Sequence, residues 1–433
     1  AQMNEKYRQI ILHVGMHKTG STSIQNNCYR YRETLAEHGI IYPSFSYLDH
    51  TRTNHSGPIT AAISENPDRY GKQWRAGLGD NSNVLALAYN QQFEALLDSP
   101  AADTLILSGE TVSAFADDDL KALRDKLLQY TDKLRVAVYI RNPASAVGSI
   151  LQQRVRDGSV HDTDDNVIAL ASVSRRRYQR LKDVFGDSLE VLNFHEAASD
   201  PSGLVGSFMR FCGLPPEETL KLEFAAANPR MSMECFKLML GINKACPAKF
   251  GDNQDRQRDY NDLRPLSVIP GQPFTVEYVD NIRVQEAIDT ETQWLIKELK
   301  LTFPETPKID QGELWSTVSL NATEEAIRAL ENDNHRIAAA NFLLEEAEQI
   351  APENLSGATI LAFIAQKLKA VKTDPAPLIL ERLGPDYFKN SALAAERYSP
   401  ALALELMRLA QRLRPEGNTV NKSILKYQKT LRE

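Results

Sequence analysis

The stretch Ile10–Ser23, IILHVGMHKTGSTS, constrains this chain more than any other. Ile10, Ile11, Leu12 and Val14 form a short apolar run, the pattern of a parallel strand buried on both faces. Gly15 opens a loop of small and hydroxyl-bearing residues, and the spacing from Ser23 to Leu35 predicts a helix. Strand, tight loop and helix in that order make an anion cradle. Successive backbone N–H groups and the helix N-terminus point at one place, and Lys18 adds a full positive charge there. A phosphorylated or sulfated ligand is expected in this loop.

Similar apolar runs recur at Asp103–Ser108 (DTLILS), Leu134–Ile140 (LRVAVYI) and Leu189–Phe194 (LEVLNF), with a short edge at Gly39–Pro43. Helical spacing separates them at Ala86–Leu97, Leu120–Tyr130 and Val173–Val184. Helices alternating with buried strands predict an α/β fold, a parallel sheet flanked by helices and joined by right-handed crossovers. Ligands gather at the carboxyl ends of such strands, where Lys18, Glu110, Arg141 and His195 stand.

Gly15-Met-His-Lys-Thr-Gly20 has the glycine spacing of a Walker A loop, but Ser21 and Thr22 follow the second glycine and the lysine comes earlier, at Lys18. A Walker lysine reaches the β- and γ-phosphates; one placed two residues before the second glycine sits over the nearer group of a ligand lying across the loop. Lys18-Thr19-Gly20-Ser21-Thr22 resembles, position by position, the Lys-[ST]-Gly-[ST]-[ST] loop of sulfotransferases that use 3′-phosphoadenosine 5′-phosphosulfate (PAPS). Arg141-Asn-Pro after the Leu134–Ile140 run, with Ser149 eight residues on, resembles that family's grip on the 3′-phosphate. Arginine offers a planar fork to a phosphate and serine adds a donor. Phe185-Gly186, Leu189–Glu196, Asp200-Pro201 and Phe208–Leu214 resemble its late strand and helix. Phe194 or His195, one register apart, stands where an aromatic borders the adenine; Phe194 would serve by stacking. The resemblance covers roughly the first 300 residues.

The resemblance implies a P-loop-containing, sulfotransferase-like fold with PAPS as donor and 3′-phosphoadenosine 5′-phosphate (PAP) as product. It implies Lys18 as the group that stabilises the departing 5′-phosphate oxygen. His17, Thr19, Gly20, Ser21, Thr22 and Ser23 then shape the loop and hold the 5′-phosphosulfate, Arg141 and Ser149 hold the 3′-phosphate, and Phe194 borders the base. A base must deprotonate the acceptor. Glu110 is the first candidate and His55, in the polar segment Ser44–Tyr70, the reserve; His13, within its strand, reads as a core histidine. A sulfuryl group carries less charge than a γ-phosphoryl group, so no metal is expected. The acceptor is expected to be a hydroxyl (or amine), on a glycan or glycolipid. Two other classes stay open: a P-loop nucleotide-type kinase, and a non-catalytic scaffold acting through the C-terminal helices.

A net charge of −7 and a pI near 5.8 do not favour nucleic-acid binding. Cys28, Cys212, Cys235 and Cys246 lack metal-site spacing and are expected to be reduced thiols. No apolar run reaches membrane-spanning length and no signal-like stretch precedes Ile10, whereas Golgi members of the resembled family carry an N-terminal anchor; a soluble, bacterial-type cytoplasmic enzyme is expected. Ser44–Tyr70 reads as an acceptor-binding loop. Arg175, Arg176, Arg177 and Arg180 read as a solvated basic face, and Lys249–Arg264 as a flexible insertion. Helical spacing dominates residues 320–433, where Ala347–Asn354 and Ala410–Gly417 echo each other in a helix–Pro-Glu–helix pattern resembling half of a tetratricopeptide repeat. The expected division is a sulfotransferase domain over 1–305 and a helical domain over 306–433, the latter for acceptor recognition, a protein partner or homo-oligomerisation.

Overall fold

The computed structural model describes residues 6–16, 18–75, 82–159, 164–224, 230–250, 255–256, 260–276, 281–306, 314–369, 377–396 and 400–432. The chain divides into two compact units. One holds 1–150, 163–229 and 279–306; the other holds 151–162, 230–278 and 307–433.

The strands of the first unit are β1 (Gln9–Val14), β2 (Ile40–Ile41), β3 (Phe45–Tyr47), β4 (His50–Arg52), β5 (Thr104–Gly109), β6 (Leu134–Ile140) and β7 (Leu189–Asn193). Five of them build one parallel sheet in the order β2-β5-β1-β6-β7, and β3 and β4 form a separate hairpin. Its helices are α1 (Ser21–Arg30), α2 (Arg32–Glu37), α3 (Ser56–Ile63), α4 (Ser82–Asp98), α5 (Asp117–Leu128), α6 (Pro143–Arg156, which runs on into the second unit), α7 (Asp164–Ala171), α8 (Val173–Phe185), α9 (Phe194–Ser199), α10 (Gly203–Phe211) and α11 (Pro216–Thr219). The second unit contributes α12 (Met233–Ala245), the first unit closes with α13 (Ile282–Leu299), and the second unit continues with α14 (Thr317–Arg328), α15 (Asp333–Ile350), α16 (Leu355–Lys369), α17 (Pro377–Ala395), α18 (Pro400–Leu413) and α19 (Asn418–Thr430).

Side-chain alternation along the strands explains why both sheet faces are covered. Ile10, Leu12 and Val14 join Leu105, Leu107, Val136 and Val138 in a core with Tyr89 and Phe93 of α4 and Leu120, Leu123 and Leu127 of α5. The opposite parity, Ile11, Ile106 and Tyr139, packs with Ile24 and Cys28 of α1 and Phe208 and Met209 of α10.

Two local expectations change. The helix foreseen over Ser23–Leu35 is two helices, bent at Tyr31 (φ −102°, ψ 23°), whose hydroxyl donates to the Glu223 carbonyl at 2.5 Å. Ser44–Tyr70 is not a loop. It carries the β3–β4 hairpin, turned at Leu48 in the left-handed region (φ 51°), then α3, which buries Pro58, Ile59 and Thr60. Much of Lys249–Arg264 lies outside the described residues; its described parts are two short strands and the start of a 3₁₀ stretch at Tyr260–Val268.

In the second unit α15 packs on α16, α17 on α18 and α18 on α19, with the Pro352 and Pro415 turns between consecutive helices. Residues 230–278 belong here through a buried carboxylate. Glu234, fully buried on α12, accepts the N–H of Trp315 at 3.1 Å, the N–H of Gln272 at 3.2 Å and the Ser319 hydroxyl at 3.3 Å. Three donors compensate the desolvation that would otherwise make such a burial expensive. Among the described residues no helix is long and apolar enough to cross a membrane, and all four cysteines are free thiols.

Candidate active site

Parallel pairing sets the ends of β1, β5, β6 and β7 side by side: Val14 pairs with Gly109, and Ile140 with Asn193. Immediately beyond β1, space is short. A Cβ on Gly15 would lie 2.5 Å from the Ser21 hydroxyl oxygen and 2.7 Å from the Glu110 Cγ, so only glycine lets the chain pass between α1 and the end of β5. The loop then curls through two left-handed residues, Lys18 (φ 60°) and Gly20 (φ 78°). Glycine suits position 20, since φ 78° strains any L side chain and a Cβ there would also push on Leu204 Cδ2 at 2.2 Å. Lysine in that conformation costs on the order of 1 kcal/mol, which the surrounding contacts must offset. Thr19 helps by donating its hydroxyl to the Met16 carbonyl at 2.9 Å.

The first turn of α1 carries no side-chain cap on Gly20 and no acidic residue. Its leading amides and the helix dipole therefore present positive potential at the loop. Thr22 and Ser23 are exposed there, and the Ser21 hydroxyl is buried with no hydrogen-bond partner of normal geometry. His17 lies outside the described residues.

Arg141, at the end of β6, reaches this loop directly. Its Nη1 donates to the Lys18 carbonyl at 2.7 Å and its Nε to the Ser145 hydroxyl at 2.9 Å, while the guanidinium carbon stands 4.7 Å from the centre of the Phe194 ring. The strained lysine and the second cationic group are thus tied to each other through the backbone. Asn142 caps α6, accepting the Ala144 N–H at 2.9 Å, and donates its own N–H to His195 Nε2 at 3.1 Å. An amide nitrogen can only donate, so His195 is neutral with its proton on Nδ1. Phe194, the first residue of α9, faces Arg141 and Gly20, whereas His195 turns to the α6 cap. Ser149 sits in the middle of α6, one turn beyond Ser145 on the same face.

Glu110 directly follows β5 and is half-buried. Burial raises its carboxyl pKa above the ordinary value; the Lys18 charge, the Ser21 hydroxyl and the Arg177 charge pull it part of the way back. It opens onto a cavity of 470 Å³ whose walls include Arg52, Tyr70, Trp74, Thr111 and Arg177. A carboxylate with a raised pKa at the mouth of a cavity, beside a lysine, suits proton abstraction.

His55 is placed differently. Its Nδ1 accepts the Ser108 N–H at 2.9 Å, its Nε2–H donates to the Pro43 carbonyl at 2.8 Å, and the ring is fully buried. Both nitrogens serve the backbone, and desolvation lowers the pKa to about 4. His13 is likewise buried, with Nδ1 2.8 Å from the Ser108 hydroxyl and its pKa lowered to about 4 by burial.

Sequence reasoning overlooked Ser145, although it lies one helical turn after Arg141. It grouped Arg177 with a solvated face, whereas Arg177 lines the cavity; only the fold separates it from Arg175, which pairs with Glu291 at 3.6 Å and stacks on Trp294. Arg52, read as part of a polar loop, comes to the same cavity on β4.

No family model and no curated protein matches the chain. Two solved structures are similar to it. A sulfotransferase from Alicyclobacillus acidocaldarius is 17% identical, with a TM-score of 0.33, over 55% of this chain and 90% of that one. The sulfotransferase domain from the curacin biosynthetic pathway is 12% identical, with a TM-score of 0.32, over 70% of this chain and 100% of that one. Overlap of this extent leaves every residue's role to the geometry of the chain itself.

Proposed function

We propose that this protein is a sulfotransferase that moves a sulfuryl group from PAPS to a hydroxyl, most naturally one on a carbohydrate. The observation that carries the reading is the 2.7 Å bond from Arg141 to the Lys18 carbonyl, with Phe194 beneath the guanidinium. It sets two cationic groups and an aromatic face at one strand-end crevice, which suits an adenosine bearing anionic groups at both its 5′ and 3′ positions. A nucleoside triphosphate concentrates its charge at one end and has less use for the second grip.

In this reading the Lys18–Ser23 loop and the amides of α1 hold the 5′-phosphosulfate. Arg141, oriented by Ser145, binds the 3′-phosphate together with Ser149, and Phe194 stacks on the adenine. Glu110 takes the proton of the acceptor hydroxyl as its oxygen bonds to sulfur. The bond from sulfur to the 5′-phosphate oxygen breaks, that oxygen keeps the electron pair, and Lys18 stabilises the charge it acquires. Like phosphoryl transfer, the reaction is expected to be loose, so positioning and charge stabilisation do most of the catalytic work. The helices of the second unit serve acceptor or partner recognition.

Calorimetry with PAP, ADP and ATP tests the donor assignment. PAP is expected to bind at least tenfold more tightly than either, with Arg141→Gln removing that preference. Tighter binding of ATP, followed by phosphate transfer in the presence of Mg²⁺, would make the protein a kinase. Absence of sulfate transfer to any acceptor despite PAP binding would leave the scaffold reading.

A further inference from the structure

The walls of the 470 Å³ cavity carry an uneven charge. Arg52 and Arg177 face it, and among the described residues that line it Glu110 is the one carboxylate. The neighbouring acids are directed elsewhere. Asp68 accepts Trp74 Nε1 at 2.8 Å and Arg75 Nε at 2.9 Å, and Asp119 accepts the Tyr70 hydroxyl at 2.5 Å. These acids behind the wall carry their own counter-charges, Arg75 for Asp68 and Arg69 at 3.7 Å for Asp119, so an excess of positive charge stands at the cavity in a protein whose net charge is −7.

The arginines of α8 make the point more sharply. Arg175 pairs with Glu291, Arg176 bonds the Ser172 hydroxyl and the Ala169 carbonyl, and Arg180 lies 3.4 Å from Asp117 and bonds the Phe115 carbonyl. Arg177 alone of the four lines the cavity, where its Nη1 is oriented by the Ser113 hydroxyl at 2.7 Å. Burial and the charges of Arg180 and Arg176 work against its charged form; Glu110 is the counter-charge within its reach. Arg52, on the β3–β4 hairpin, lines the same cavity and makes no ion pair among the described residues. Two guanidinium groups beside a half-buried base form a receptor for a second anion. Their planar forks match an oxyanion of carboxylate or sulfate type better than they match a neutral hydroxyl.

We infer that the acceptor is itself acidic: it bears a carboxylate or a sulfate beside the hydroxyl that is modified, and Arg52 and Arg177 bind that group while Glu110 addresses the hydroxyl. This rests on the sulfotransferase reading and narrows it. A charge relation follows. Binding the acidic group next to Glu110 raises the carboxylate's proton affinity, which favours proton uptake at the moment the hydroxyl attacks.

The test uses the full chain and matched oligosaccharides: a uronic-acid oligosaccharide with its carboxyl-reduced form, and a sulfated oligosaccharide with its desulfated form. Calorimetry, without and with saturating PAP, measures binding directly, and sulfate transfer from PAPS gives KM and kcat. At least one acidic member is expected to bind tenfold or more tightly than its neutral counterpart, and which pair shows the gap identifies carboxylate or sulfate. Arg52→Gln is expected to erase most of that gap through KM, with PAP affinity unchanged. Arg177→Lys should retain a large part of it and Arg177→Gln should not; if the glutamine variant misfolds, the Arg52 substitution carries the test. Equal binding of acidic and neutral members, failure of all four to bind, or loss of both affinities in parallel in the Arg52 variant overturns the inference. Loss of PAP binding in the wild-type chain, with the acidic preference intact, would instead overturn the donor assignment and leave the oxyanion site standing.

Discussion

Ser108 and Glu110 stand two residues apart at the end of β5, and their surroundings behave in opposite ways. Around Ser108 the polar groups are dry and turned on one another: His13 and Gln25 bond its hydroxyl, its N–H goes to His55, and all four residues are at most 2% exposed, with only His13 Nε2 among them buried without a hydrogen-bond partner. Around Glu110 the polar groups face a cavity; burial pushes its carboxyl pKa up, and the Lys18 and Arg177 charges and the Ser21 hydroxyl, with no backbone bond, pull against it. Both regions hold titratable side chains with shifted pKa values, yet only one has room for a reactant. A perturbed group is useful for chemistry when its partner is exchangeable, and structural when its partners are the protein's own amides and carbonyls. The histidines beneath fix the floor on which Lys18 and Glu110 are displayed.

The strongest challenge to this contrast is Glu110→Gln. Turnover is expected to fall by a hundredfold or more, with PAP affinity preserved, because the glutamine keeps the shape and loses the base. The wild-type rate should fall as pH drops through the raised Glu110 pKa, since only the ionised form accepts the proton. That acidic limb of kcat/KM should lie above the ordinary carboxylate range and vanish in the variant. Near-normal turnover in Glu110→Gln, or an abolished rate in a folded His55→Gln protein, would reverse the roles assigned to the two regions.

A second measurement concerns the dry layer. His13 and His55 have pKa values of about 4 when folded against 6.5 ordinarily, so the folded state resists protonation that the unfolded chain accepts. Their contribution is intact above pH 6.5 and is lost as pH falls from there toward 4, on the order of 3 kcal/mol for each ring at the acid end. Thermal melts between pH 7.5 and 4.5 should show the descent, and His55→Gln should flatten it while lowering stability at neutral pH. A pH-independent melting temperature would mean that water reaches these rings.

The smallest effect sharpens the contrast at its edge. Ser145→Ala removes one hydrogen bond from Arg141 while leaving the bond to Lys18 intact. PAP affinity is expected to weaken about five- to tenfold, the scale of one hydrogen bond to a charged group, and kcat to change little. A larger drop in kcat would mean that Ser145 holds the Lys18 loop as well as the nucleotide.

How much of this the sequence disclosed depended on whether the signal was local. Leu134–Ile140 was legible as a strand because every residue of it had to be apolar or to lie at its start, and the structure returns the same bounds. Gly20 and Lys18 were legible because glycine spacing and a cation between an apolar run and a helical stretch are local signals; the left-handed turn at Lys18 was not. The α3 helix was missed because it opens on Ser56, Gly57 and Pro58, residues that read as a turn, and is only eight residues long. Residues 230–278 carry no periodicity that ties them to the C-terminal helices; the tie is Glu234, whose three donors come from Gln272, Trp315 and Ser319.

By itself, then, the order of residues determined an alternating α/β sheet with a glycine-bearing loop between its first strand and first helix, because apolar runs and glycine placement act over a few neighbouring residues. It named Lys18, Glu110 and Arg141 by their position after strands. Only the tertiary structure decided that Arg141 reaches the Lys18 carbonyl, that Phe194 and not His195 faces it, that His55 is sealed against water, and that Arg52 and Arg177 meet at one cavity. Those outcomes depend on which side of a strand or helix turns toward residues more than fifty positions away. Burial and charge pairing settle that, and they exist only once the sheet has formed.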